Sequence, residues 1–564
     1  MRILPTLIML YFLLSPVVST GDEFYENQLN NGIRNSDAYA FILIKQAHDN
    51  RAEATKILRK ALASSPDLPA VYFEMSKANF SFSIKGVLDV IDYIVEGINA
   101  YSRNFWWSFT LAGSLFFSLV FSFILTVILI LIIRFPGDIS LVSHDIKEDN
   151  SKALFLLALV FLSLISPLLF LAGILILFSV YMRKIDRTVV YLFLVFLLFS
   201  PLILKTSSLF INAPSSGKIK SIVQVNESKG NNYAMSALKN NDDYTALFSY
   251  ALALKRAGYY DEAIAGYKRL VETRPDPKVY INLGNCYVGL YNLEEEKKFN
   301  LEEAVKYYSM AINIKPLASA YYNLSQISRE MLDFKKGDEY FVSAVAIDRI
   351  AVSSYRTIYG RNTNRLVVDE TLNYDELWDY VMVKSEKVSA FGMTLIPGAF
   401  ISGMSLILIA ALYLLNKRLK NKAYRCRRCS TILCIKCEKH LMWGQMCPHC
   451  YRSLIKLDEL DSRERVATLL SIYNHQKKRR DTMKILSFIL PGSSQMYAGK
   501  ILYGFVFMWP FLFFMLIPVT NSIFVTDSSL LSHGFFKWAA VFIAVLLYIA
   551  SNIITRRRIA KGWL

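Results

Sequence analysis

The chain has 564 residues, 64 Lys and Arg against 46 Asp and Glu, and a formal charge of +18. At 54% hydrophobic and 20% charged, it is too apolar for an ordinary soluble chain and too rich in apolar residues for disorder. With 24 Gly, 16 Pro and 7 Cys, the collagen-like and disulfide-dense secreted classes are excluded too.

Residues 4–18 form a short apolar core behind one Arg and ahead of Ser19, Thr20 and Gly21. Residues 1–20 therefore read as a secretory signal peptide, with an uncleaved anchor as the alternative. Residues 21–104 read as helical. Ala54, Leu58, Ala61 and Pro66, then Tyr72, Met75 and Ser76, fall at the offsets of a degenerate helical repeat; an ordinary helical hairpin is the alternative reading. Residues 105–204 hold three apolar runs: 105–134, opening on Phe105, Trp106 and Trp107; 153–182, broken by Pro167; and 188–204. Further runs occupy 389–415, 501–524 and 536–554. Apolar runs of about 18 residues or more are membrane spans by default.

The basic surplus has two readings, nucleic-acid binding and membrane topology, and its placement decides between them. Lys417, Arg418, Lys420, Lys422, Arg425, Arg427 and Arg428 follow one span. Lys477, Lys478, Arg479 and Arg480 precede the next, and Arg556, Arg557, Arg558 and Lys561 follow the last. Charge that abuts spans marks the cytoplasmic side. This favours the lipid bilayer over nucleic acid as the partner and puts 205–388 on the outer side. An odd number of crossings must then separate residue 104 from residue 183, where only two runs are visible. A hairpin turning at Ser166–Pro167 is one solution; an N-terminal segment that is not exported is the other.

Within 205–388 the chain repeats itself. Leu247, Tyr250, Ala251, Leu254, Gly258, Ala263, Tyr267 and Pro275 are echoed by Tyr280, Leu283, Gly284, Tyr287, Ala304, Tyr308, Ala311 and Pro316. Tyr321, Leu324, Ser325, Gly337, Phe341 and Ala344 begin a third copy. The repeats are 244–277, 278–316 and 317–350. The second carries eight extra residues, expected in the helix-to-helix turn around Asn292–Asn300. Small residues at Ala251, Gly284 and Ser325, and at Ala263, Ala304 and Gly337, let paired helices approach. The pattern resembles the tetratricopeptide repeat. That resemblance implies an α-α solenoid whose concave face, over 244–348, binds a protein segment and carries no catalytic machinery. Glu370–Lys387 is expected as a helical cap, and Cys286 as a small buried residue.

Six cysteines crowd one stretch: Cys426-x2-Cys429-x4-Cys434-x2-Cys437-x9-Cys447-x2-Cys450, with His440 and His449 interspersed. Paired thiolates two residues apart clasp tetrahedral Zn²⁺, and the flanking charge points to the reducing cytosol, so 416–456 reads as zinc-binding. The run CRRCSTILCIKC…MCPHC resembles the second half of FYVE-type zinc fingers. That resemblance implies Cys426, Cys429, Cys447 and Cys450 as one complete site. Cys434, Cys437 and His440 are left as candidates for a second ion, with His449 as a strained fourth ligand. The family's upstream basic motif is missing, so its lipid recognition is not implied. An all-cysteine shell is structural rather than catalytic.

Residues 457–483 read as an amphipathic basic connector and 556–564 as a basic tail. Between them, 484–555 contains Leu490-Pro491-Gly492, Gln495, Tyr497, Gly499 and Gly504. This resembles a small membrane module with the hallmark PGxGQxYxGxxxxG, except that Ser494 replaces its middle glycine. Together these features predict a mostly α, polytopic membrane protein with a tetratricopeptide solenoid and a small zinc module. It resembles bacterial inner-membrane tetratricopeptide-repeat proteins. The expected role is a non-enzymatic scaffold or adaptor for a protein partner, with the repeats periplasmic and the zinc cytoplasmic. A subunit of a membrane enzyme or transporter, active in the 105–204 helices, is the alternative.

Overall fold

A computed structural model describes residues 33–148, 159–160, 162–227, 232–293, 298–359, 367–385, 398–418, 423–426, 428–434, 446–455, 461–524 and 533–561. The expected signal peptide lies outside these residues, as do Cys437 and His440. The chain is helical almost throughout; among the described residues only Tyr424–Arg425 and Ile432–Leu433 form strands. It divides into two units: Met1–Phe109 with Leu209–Val388 and Ser529–Ser532, and Thr110–Ser208 with Ser389–Ser528 and His533–Leu564.

The first unit is a solenoid of helix pairs. The 21–104 segment supplies Asp37–Asp49 with Ala54–Ser64, and Pro69–Ala78 with Ile84–Ala100. Further along come Tyr244–Arg256 with Tyr260–Thr273, Pro277–Leu293 with Lys298–Ile314, and Ala318–Glu330 with Phe334–Ile347. Each helix packs on the next. The small positions sit at the closest approaches. A Cβ on Gly284 would stand 2.6 Å from the Tyr308 ring, and Ala251, Ala263 and Ala304 are fully buried. Cys286 is buried as well, and burial pushes its thiol well up.

The extra residues of the second repeat do not all lengthen a turn. Its two helices have 17 residues each, against 13 and 14 in the first repeat. Adding about a turn to both partners keeps an antiparallel pair in contact, whereas a longer loop would only cost entropy. The cap also differs from expectation. Among the described residues of that stretch, the α-helix is Tyr374–Lys384, started by a capping box between Asn373 and Glu376. Glu370 lies before it, outside any helix.

The second unit is the apolar one. Among the described residues, three helices are long and apolar enough to cross a membrane: Phe105–His144 within the helix Phe105–Glu148, Ile501–Ile523, and Gly534–Ala560. At 1.5 Å per residue the first outruns a hydrocarbon core of about 30 Å, and the Arg134–Asp138 ion pair follows its uncharged stretch of 105–133. The 188–204 run is not one straight span. Its helix breaks after Leu198, and Ser200–Asn212 leaves at 59°. Pro201 accounts for this, since it can start a helix but cannot continue one. At Ser166 the chain also turns. The Ser166 hydroxyl accepts from Leu168 N, and a Cβ on Gly173 would stand 2.6 Å from Leu159, so the preceding arm folds back on Pro167–Ser179.

Hydrogen bonds give the helix directions. Ser114 and Ser118 share Thr520, at 3.0 and 2.7 Å, and Trp509 Nε1 donates to Ser122 at 3.1 Å, so Phe105–Glu148 and Ile501–Phe524 are antiparallel. Thr110 meets His533 at 2.9 Å, which starts the last helix beside the start of the first. Ser402 donates to Leu198 O and Ser405 to Leu194 O, so Gly398–Arg418 opposes Thr188–Leu198. Leu502 N donates to the buried Asp186 at 2.9 Å, bringing the turn Lys184–Arg187 to the start of Ile501–Phe524. The turn Lys184–Arg187 and the start of Ile501–Phe524 therefore lie toward the later part of the first long helix, where Arg134 comes close to Gly499.

The Pro491 break is observed too. Helix Ser462–Ile489 stops there, and Gly492 takes φ 82° with no room for a Cβ, which would stand 2.2 Å from Gly504 O. Ser494 fits because it lies inside the short helix Ser493–Tyr497, where glycine is not required, and its hydroxyl donates to Met483 O.

Candidate functional sites: a thiolate cluster and an asparagine-lined groove

Four cysteines converge. The Sγ atoms of Cys426, Cys429, Cys447 and Cys450 all lie within 4.8 Å of one another, with Cys429 and Cys447 at 3.6 Å. Four sulphurs 2.3 Å from one ion stand about 3.8 Å apart, so the cluster has the dimensions of a tetrahedral metal site. Two local structures build it. The strands Tyr424–Arg425 and Ile432–Leu433 pair around the first knuckle, and Ser430 takes φ 65° to close it. Cys447 caps the helix Pro448–Leu454, which presents Cys450 in its first turn.

Backbone donors surround the sulphurs. Arg428 N and Cys447 N donate to Cys426 Sγ at 3.4 and 3.3 Å, and Cys450 N donates to Cys447 Sγ at 3.3 Å. Burial raises the Cys426 thiol, but the N–H groups of Cys429, Cys447 and Arg428 outweigh it and bring the thiol down to about 7. Burial pushes Cys447 and Cys450 the other way. The N–H donors suit thiolates, the form in which cysteine binds metal. The cluster can therefore hold a metal ion, and four sulphurs complete its shell.

The two other positions with described side chains stand apart from it. Cys434 is buried but outside the set of four, and His449 is exposed with Nε2 3.1 Å from Thr468 Oγ1. His449 is thus turned toward Ser462–Ile489. The module is clamped on two sides. Arg425 donates to Gly137 O at 2.6 Å and to Ser140 on the first long helix. Gln476 donates to Arg428 O at 2.9 Å, and Ile472 packs against Leu433, Met446 and the cysteines.

A segment of the chain itself, Val367–Asn373, runs without helical structure past the helices Gly217–Glu227, Pro277–Leu293 and Ala318–Glu330, and asparagines on all three hold it. Asn323 donates to Val368 O and accepts from Val368 N, at 2.9 and 2.8 Å. Asn282 does the same to Glu370, at 2.8 and 2.9 Å. Asn226 accepts from Leu372 N at 2.8 Å. Asn285 donates to Val368 O and to Asp369, and Tyr308 OH donates to Asn285 at 2.7 Å. Lys255 pairs with Asp369, and Arg256 is 3.8 Å from it. The backbone N–H groups that Asn323, Asn282 and Asn226 accept from belong to alternate residues, Val368, Glu370 and Leu372, the repeat of an extended strand. A buried carboxylate facing two cations avoids the penalty of an unpaired charge.

Sequence reasoning passed over these residues, although a signal existed. Asn282 and Asn323 occupy the same repeat position, each just before the Leu of the Leu-Gly or Leu-Ser pair. Ser249 is their counterpart in the first repeat, and its hydroxyl takes a hydrogen bond from Asn226 at 2.9 Å. A polar amide recurring on a buried face needs a partner. No protein-family model matches the chain, and no curated protein matches it. The functional reading rests on the residues themselves.

Proposed function

We propose that the chain is a membrane-embedded, non-catalytic scaffold. Its tetratricopeptide solenoid holds a segment of a partner protein on the outer side of a bacterial inner membrane. The thiolate cluster is its structural centre on the cytoplasmic side, and Zn²⁺ is the ion that four cysteine ligands favour. The observation that carries the scaffold reading is the asparagine-lined groove, whose side chains grip the backbone of an extended segment. Such chemistry recognises polypeptide rather than a small substrate. The basic clusters beside the spans and the helix directions of the apolar unit support the sidedness.

The test is site-specific photo-crosslinking in cells, on the full chain. A photoreactive residue is placed at exposed positions on the repeats, such as Tyr259, Leu332 and Phe334, and at membrane-unit positions as controls. One partner protein crosslinked from several repeat positions and not from the controls is expected. Crosslinks confined to the 105–204 helices, or none from the repeats, would sink the scaffold reading in favour of activity within the membrane.

A further inference from the structure

The groove-bound segment has the chemistry of a ligand. The groove holds it by backbone N–H and C=O groups, which any extended chain offers. Side chains are read as well. Val367 is buried with Ile281, Leu324 and Ile327, Val368 with Ala318, Tyr322, Ala344 and Val352, Asp369 faces Lys255 and Arg256, and Glu370 accepts from the Ser319 hydroxyl. A cavity of about 660 Å³ borders Val368–Asn373 and is also lined by Arg34, Asp67, Arg103 and Glu227. The segment is therefore held by the repeats and still borders free volume. Its own chain delivers it, which gives it the advantage of a tethered ligand over a free one.

We propose that Val367–Asn373 is a resident competitor in a peptide-receiving groove. The external ligand is an extended segment of a partner protein with an aliphatic residue followed by an acidic one, in register with Val368 and Asp369. Resident and external segments exclude each other. This rests on the scaffold reading and adds to it the class of partner and the means of control. An external segment binds only in proportion to the time the resident one is released, so its apparent affinity is reduced by that fraction.

The experiment uses the full chain in mild detergent and a fluorescent peptide copying residues 365–375, with a scrambled peptide as control. Asp369→Ala weakens the resident segment and leaves Lys255, Arg256 and the asparagines in place for the peptide. The peptide is expected to bind this variant at least ten times more tightly than the wild type. Adding Asn282→Ala and Asn323→Ala is expected to abolish the gain. A second arm needs no variant. Saturating peptide added to wild type should speed hydrogen exchange at the amides of Val368, Glu370 and Leu372, since they leave the groove.

Equal peptide affinity of wild type and a folded Asp369→Ala, or unchanged exchange at saturating peptide, overturns the proposal and makes the segment a permanent strap. Equal binding of the scrambled peptide overturns the aliphatic–acidic register. If Asp369→Ala does not fold, the exchange arm decides alone. The two readings fail separately. A partner crosslinked to the repeats but indifferent to the peptide keeps the scaffold and removes the competitor. Peptide exchange with no crosslinked partner does the reverse.

Discussion

Replacing Asn323 by alanine is the most informative perturbation of the repeat unit. Asn323 makes three hydrogen bonds: it donates to Val368 O and Asn285 Oδ1 and accepts from Val368 N. After truncation, Val368 O keeps Asn285 Nδ2 at 2.8 Å, and Asn285 Oδ1 keeps Tyr308 OH at 2.7 Å. Val368 N loses the only partner described for it, in a residue that is 5% exposed. A buried donor left unpaired costs about 1–3 kcal/mol, and each shared bond that is lost adds about 0.5 kcal/mol, for a sum of about 2–4 kcal/mol. Asn282→Ala also frees two groups, those of Glu370, but that residue is half-buried and water can replace the amide. Its cost should be about 1 kcal/mol. Thermal unfolding of the full chain, followed by circular dichroism, should therefore show a larger loss for Asn323→Ala. The expected fall is about 5–15 °C, at about 2–4 °C per kcal/mol for a unit of this size. Near-wild-type melting of Asn323→Ala, or a greater loss for Asn282→Ala, would refute the reasoning that burial of the accepting backbone sets the cost.

Three further outcomes are expected. Metal analysis of the chain, purified under reducing conditions, should give about one zinc per chain by the four-sulphur arithmetic; Cys450→Ser should remove it and Cys434→Ser should not, and zinc retained by Cys450→Ser would exclude the assigned ligands. Burial pushes the Glu227 carboxyl up to about 8, against the hydrogen bond it accepts from Phe105 N. A carboxyl raised above its ordinary 4.5 favours the fold most fully below that pH, and the contribution fades as pH rises through 8; the melting temperature should fall between pH 5 and pH 8.5, Glu227→Gln should flatten that slope, and an unchanged slope in the variant would assign the pH dependence elsewhere. Gly492→Ala should cost at least about 2 kcal/mol in detergent-solubilised chain, because φ 82° and the Gly504 carbonyl both oppose a Cβ; Ser494→Gly should be tolerated, and equal losses from the two would show that the backbone crossing does not set the requirement.

The repeats were legible because their physics is local. A small residue is needed wherever two helices touch, and the period exposes it at Ala251, Gly284 and Ser325. The knuckle spacing of Cys426, Cys429, Cys447 and Cys450 was legible for the same reason, although the resemblance rather than the spacing chose those four. The groove segment was not legible. Val367–Asn373 carries no helical period, and its conformation is set by amides far away in sequence, at Asn226, Asn282 and Asn323. The prolines show the limit most plainly. Pro167 was read as a break, and Pro201 was not, yet both start helices. Pro136, Pro510 and Pro518 lie inside helices that continue through them. Whether a proline breaks a helix depends on what satisfies the freed carbonyl, and that is decided by packing. The hydroxyls facing Thr520 were passed over because uncharged polar groups leave an apolar run intact.

Those hydroxyls limit how the apolar unit can move. Ser114, Ser118, Ser122 and Thr126 rise in steps of four along a helix of 3.6 residues per turn, and all are fully buried. Each step overshoots a full turn by about 40°, so the row winds about 120° around the helix. Rolling the helix by one residue would swing every hydroxyl by about 100° and break the bonds of Ser114, Ser118 and Ser122 to Thr520 and Trp509 together. The row therefore works as a keyway that fixes the rotational setting of the first long helix against Ile501–Phe524. Any rearrangement in this unit has to use elements free of that key, and the bent pair at Leu198–Ser200 is one such element.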